Sequence, residues 1–109
     1  QVVSFQKALA AGVNMAMGTD AGGFGHGQNA SELAYLVAAG MTPMQALVAT
    51  TSMGAQCMGL GPEVGVLREG MLADLLAVDG DPLQDVGMLQ DRSRMRLIVK
   101  DGEIVKDTL

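Results

Sequence analysis

The stretch Val13-Asn14-Met15-Ala16-Met17-Gly18 runs directly into Thr19-Asp20 and then into a loop holding Gly22, Gly23, Gly25 and Gly27. Its short length, its apolar character and the glycines at Gly12 and Gly18 predict a buried β-strand. A carboxylate just past the C-terminal end of such a strand stands at the edge where parallel α/β architectures bind ligands. Asp20 can there ligate a divalent metal or serve as a general base. It can equally be a turn or capping aspartate, the commoner use of that residue after a strand. Spacing alone leaves both readings open.

Upstream, Val3 to Ala11 reads as the tail of a helix, with Phe5, Ala8 and Leu9 on one face and Gly12 as its stop. It carries no N-terminal cap signal, and the expectation is a helix that begins earlier. Downstream, Asn29 with Glu32 has the spacing of a capping box. Leu33, Leu36 and Val37 form an apolar stripe, and Gly40 ends that helix. Thr42-Pro43-Met44-Gln45 is a strong helix start, with Thr42 as cap, Pro43 in the first turn and Gln45 reaching back. A further short helix is expected from Ser52 to Met58, closed by Gly59.

Past Gly61-Pro62 the pattern changes. Gly65 to Gly70 reads as turns, Ala73 to Val78 as a strand, and Asp79-Gly80-Asp81-Pro82 as another turn. Arg96–Lys100 and Glu103–Lys106 flank Asp101-Gly102, a strong hairpin signal. The expected organisation is therefore an α/β region over 1–61 and a small β segment over 62–109.

Composition narrows the functional classes. The chain has 109 residues, 49% of them apolar and 17% charged, which fits a globular domain rather than a disordered one. Aromatics make up only 3%, so the 9 methionines must help fill the core, a flexible filling that specifies packing loosely. The net charge is −5, and Arg92, Arg94, Arg96 and Lys100 are scattered rather than massed, so no nucleic-acid partner is expected. No apolar run is of membrane-spanning length, and no membrane partner is expected. No leader pattern points to secretion. The one cysteine, Cys57, cannot form an internal disulfide and is expected as a small buried hydrophobe in a reduced, cytoplasmic setting.

Two rival chemistries are weak on physical grounds. Gly25-His26-Gly27-Gln28-Asn29-Ala30 matches G-x-G-x-x-A at a helix start. The match begins well beyond the strand end, however, and a second helix follows where a strand with a ribose-binding acid is needed. His26 is the only histidine; a lone loop histidine is usually a solvated residue, and a catalytic zinc site takes three protein ligands. The methionines are spread as core packing requires, not as a copper site.

In order and spacing the motifs resemble the end of the amidohydrolase superfamily. The first set is Gly18-Thr19-Asp20, His26-Gly27, Glu32-Leu33, Ala39-Gly40-Met41-Thr42-Pro43 and Gln45-Ala46-Leu47. The second is Gly65-Val66-Leu67, Glu69-Gly70, Ala73-Asp74-Leu75, Asp81-Pro82-Leu83 and Val99-Lys100-Asp101-Gly102. The resemblance runs from Gly12 to the end and is greatest to the imidazolonepropionase and Xaa-Pro dipeptidase branch.

The resemblance implies a (β/α)8 barrel flanked by a small β-sandwich built from both ends of the chain. Val13–Gly18 would be the eighth barrel strand and residues 1–61 the end of the barrel. Residues 62–109 would be part of the sandwich. Asp20 would bind or face a divalent metal, zinc by expectation, and take a proton from the attacking water; His26 would contact the substrate, a small amide or dipeptide. The family's histidine pair on the first strand, its bridging ligand on the fourth and its histidines on the fifth and sixth have no counterpart here. A whole barrel needs ~250 residues. The expectation is thus a C-terminal fragment of a metal-dependent hydrolase of C–N bonds, inactive alone and holding no metal stably. The alternative is a non-catalytic remnant of a truncated gene that associates with itself as a homo-oligomer.

Overall fold

The computed structural model describes residues 1–20 and 26–109. The glycines expected to form a loop at positions 22, 23 and 25, and the first position of the G-x-G-x-x-A match, lie outside the described residues. Among the described residues four helices come first: α1 (Val2–Ala10), α2 (Ser31–Ala38), α3 (Pro43–Thr50) and α4 (Ser52–Cys57). An antiparallel sheet follows, of strands β1 (Leu75–Val78), β2 (Met95–Lys100) and β3 (Glu103–Asp107) in the order β1-β2-β3.

The helices end as their sequences dictate. After α1, the Gly12 amide donates to Leu9 and the Val13 amide to Ala8, and Gly12 takes a φ of +74°. This paired closure satisfies carbonyls that the helix leaves unpartnered, and it needs a left-handed residue. α2 and α4 close in the same way at Gly40 and Gly59. At the start of α3 the Thr42 Oγ1 accepts from the Gln45 amide at 3.1 Å, and the Gln45 Oε1 accepts from the Thr42 amide at 2.9 Å. That is the reciprocal capping box anticipated from the sequence.

The start of α2 differs from expectation. Ala30 occupies the cap position, with no side-chain cap bond. The amides of Ser31, Glu32 and Leu33 donate instead to the carbonyls three residues back, those of Gln28, Asn29 and Ala30. A tight 3-10-type entry thus takes over the role predicted for Asn29.

The segment Val13–Gly18 also differs. Among the described residues it has no strand partner. Met15, Met17 and Thr19 are half-buried, whereas Val13, Asn14, Ala16 and Gly18 are exposed, which is the period of an extended chain covered on one face. The cover is the helical core of Leu33, Met41, Ala46 and Ala49, against which Met15 and Met17 pack. One backbone bond fixes the segment to α3: the Met17 amide donates to the Ala49 carbonyl at 2.9 Å.

The β region is tied to itself by its turns. Asp101 and Gly102 have φ of 50° and 76°, the twist-matched geometry of a two-residue hairpin. The Asp74 Oδ1 accepts from the Asp101 amide at 2.7 Å, and the Ala73 carbonyl accepts from the Gly102 amide at 3.0 Å. Ala73 and Asp74, expected inside the first strand, thus hold the far hairpin turn in place. The 3-10 turns Val86–Gln90 and Arg92–Arg94 carry no apolar periodicity to announce them. Asp85 and Asp91 open them by accepting from the amides of Gly87 and Ser93. Val86 enters the same core as Leu33 and Ala46. Cys57 is exposed at the end of α4 rather than buried, because that short helix buries only Ala55.

Thr42→Ala removes one half of the capping box and should lower stability by ~1 kcal/mol. Urea denaturation followed by circular dichroism checks this, and an unchanged midpoint would mean that the cap contributes nothing.

Candidate functional site

Asp20 closes the extended segment. The helical core holds Met15 and Met17, and this fixes where the last residues of the segment emerge. Asp20 itself is exposed and adopts a φ of +49°. This left-handed region is open to aspartate but uncommon outside glycine. Its carboxylate makes no hydrogen bond or ion pair with any described residue. The turn-capping role left open by the sequence therefore finds no described partner.

His26 and Gly27 form an exposed turn ahead of α2. The Gly27 φ is +86°, and its carbonyl accepts a hydrogen bond at 3.1 Å from the Nη2 of Arg92, which is 65 residues away in sequence. Nothing in the sequence marks this contact, since Arg92 reads there as one of several scattered cations. Glu32, in the first turn of α2, is half-buried. It lines a cavity of ≈280 Å³ together with Gly18, Met15 and Met41.

The donors in hand do not amount to a metal centre. Among the described residues no three His, Cys, Asp or Glu side chains stand close enough to hold an ion. Asp20 can offer carboxylate oxygen and His26 imidazole nitrogen, but catalytic zinc takes three protein ligands. A complete site does not fit the residues present.

Among the described residues a larger cavity lies elsewhere. It is a groove of ≈720 Å³ between the extended segment, the α3–α4 pair and the sheet, lined mainly by apolar residues such as Met17, Met58, Val66, Leu67 and Leu76. Met58 is 74% exposed and Leu67 77%. The charged residues lining it are Asp74 and Lys100, and Asp74 is engaged with the Asp101 amide. It has the composition of a covered packing face rather than of a reaction site, which would converge polar groups.

Similarity to known proteins agrees with this picture. The amidohydrolase family pattern matches residues 1–105. Ochratoxinase of Aspergillus niger is 36% identical over 105 residues, which are 94% of this chain and 22% of that protein. The 5-methylthioadenosine/S-adenosylhomocysteine deaminase of Moorella thermoacetica is 39% identical over 88 residues, covering 72% of this chain and 21% of the deaminase. The crystal structure of a Xaa-Pro dipeptidase with methionine in its active site superposes with a TM-score of 0.89 and 36% identity, over 96% of this chain and 25% of the dipeptidase. The chain thus spans about a quarter or less of the length of these relatives. With the pattern matched almost end to end and the fold shared, the chain belongs to the amidohydrolase family.

Proposed function

We propose that the chain is the C-terminal part of a hydrolase of C–N bonds in small amides or dipeptides, with Asp20 as its proton-transfer group. In this reading Val13–Gly18 is the last strand of a (β/α)8 barrel, residues 1–61 end that barrel, and residues 62–109 belong to a flanking β-sandwich. The observation that carries the proposal is Asp20 itself. It is a left-handed, exposed carboxylate without a described partner at the end of the extended segment, within a chain of this family.

Members of the family are generally metal-dependent. A divalent ion, zinc in this reading, would supply Lewis acidity at the scissile carbonyl. Asp20 would give it one ligand, and the remaining ligands would come from outside these residues, so this chain alone would hold no metal stably. Amide hydrolysis requires that the attacking water lose a proton and that the departing nitrogen gain one. The Asp20 carboxylate can accept the first on an Oδ atom and deliver it for the second. Asp20 is the only acidic residue from Val13 to Ser31, so no neighbour in this stretch replaces it. His26, on the turn that follows, would contact the substrate.

A second reading, a non-catalytic chain that associates with itself, is favoured by two observations. The apolar groove and the edges of Val13–Gly18, which among the described residues have no strand partner, are surfaces that recruit partners.

Asp20→Asn keeps the size of the side chain and removes its basicity. In the longer enzyme it should lower kcat by at least about a hundredfold with the fold intact; near-normal kcat in a folded variant would reduce Asp20 to a turn residue. The isolated chain should show no turnover of Xaa-Pro or N-acyl-amino-acid substrates with added zinc. Turnover that Asp20→Ala abolishes would refute that expectation. In light scattering the isolated chain should exceed monomer mass at moderate concentration, and a clean monomer would count against open strand edges.

A further inference from the structure

The turn His26–Gly27 lies against the 3-10 turn Arg92–Arg94, with a cavity of ≈420 Å³ between them that is lined by Gln28, Ser31, Leu89 and Arg92. Side-chain packing therefore does not fill the space under the turn. The Arg92 guanidinium reaches across it, with Nη2 donating to the Gly27 carbonyl at 3.1 Å. A Cβ on Gly27 would stand 2.5 Å from Nη2, so a larger residue would push the guanidinium aside, and the φ of +86° itself favours glycine.

Arg92 is held in turn from its own side. The Lys106 Nζ, on β3, donates to the Arg92 carbonyl at 2.8 Å. The Asp91 Oδ1 accepts from the Ser93 amide at 3.0 Å and from the Ser93 Oγ at 2.6 Å, which fixes the turn that carries Arg92. The Ser93 hydroxyl, then the Ser93 amide, hold the Asp91 carboxyl below its ordinary range, so the carboxylate form that anchors this turn persists to low pH. Arg92 thus links β3 to the His26–Gly27 turn, through its carbonyl on one side and its guanidinium on the other.

We propose that Arg92 is a positioning residue for the site: its guanidinium, carried on a backbone turn that Lys106 braces through the Arg92 carbonyl, holds the His26–Gly27 turn at the height that the substrate requires. The proposal rests on the reading of Asp20 and His26 given above. It assigns no chemistry to Arg92, which acts only through the turn. A group that sets the placement of a substrate-contacting turn changes rate through geometry, and a displacement of about 1 Å can cost ~10²-fold.

The test uses the longer enzyme proposed above, with an Xaa-Pro dipeptide as substrate and amide hydrogen exchange as a second readout. Arg92→Ala should raise exchange over residues 26–30 by about tenfold or more. It should lower kcat/KM by about 10- to 100-fold and leave the pH dependence of kcat in place. Arg92→Lys, which keeps a cationic donor, should recover most of the loss. Lys106→Met should show the same pattern, weaker, and stands in if Arg92→Ala fails to fold. Unchanged exchange over 26–30, or raised exchange without loss of kcat/KM, would overturn the proposal. So would a lysine variant as impaired as the alanine one. Asp20→Asn measured alongside separates the two readings, because retained kcat there removes the site assignment while the exchange arm still reports on the tether.

Discussion

Each residue of an extended chain presents one N–H and one C=O that must find a partner in the protein or in water. In Asn14–Asp20 the Met17 amide alone among the described backbone groups has a protein partner, the carbonyl of Ala49. That carbonyl is itself one of those α3 leaves open at its C-terminus, so one bond serves both elements. The rest of the region is arranged around it. Met15 and Met17 point into the core of Leu33, Met41, Ala46 and Ala49, and Ala46 is completely buried and Ala49 nearly so. Small side chains at these two positions let the extended segment approach the helix closely. Asp20 emerges where this packing ends, and its placement is a consequence of the core rather than of its own contacts.

The second half supports the same place from another direction. The hairpin is locked by Asp74 and Ala73, which accept from the amides of its turn. Its third strand sends Lys106 to Arg92, and Arg92 reaches Gly27. Val86 adds an apolar anchor in the helical core. The sheet is therefore joined to the site region by a hydrophobic contact at Val86 and a polar one at Arg92. The large apolar groove lies beside these contacts, not among them, and its exposed Met58 and Leu67 give it the character of a face built to be covered.

Features with a local physical cause were legible in the sequence. The capping box of Thr42 and Gln45, the glycine stops and the Asp101-Gly102 turn each depend on a few adjacent residues, and each formed as read. The motif order pointed to the family that the similarity to known proteins establishes. What escaped was a competing backbone arrangement at one helix start and, elsewhere, non-local packing. Asn29 had the right residue type for a cap, but the backbone carbonyls of Gln28, Asn29 and Ala30 satisfied the same amides first. The 3-10 turn at Val86 rests on an aspartate turn, and its burial depends on where the helices lie. Cys57 is apolar enough to be buried but sits on a helix that buries little else. Val13–Gly18, read as a buried strand from its length, apolar character and glycines, is extended but covered on one face only and has no strand partner among the described residues, since the burial of a strand depends on neighbours that no local pattern reports. The contact of Arg92 with Gly27 lies beyond any spacing rule.

The placement of Asp20 at the end of a barrel strand depends on the edges of Val13–Gly18. If this segment is the last strand of a larger barrel, its unpaired amides are partnered there and open here. Hydrogen exchange at Asn14, Ala16 and Gly18, measured in the isolated chain and in the longer enzyme, tests this directly. Exchange should be nearly unprotected in the isolated chain and at least about a hundredfold slower in the longer enzyme. Equal rates in both would contradict it, because the segment would then be a surface loop and Asp20 would not stand at the end of a strand.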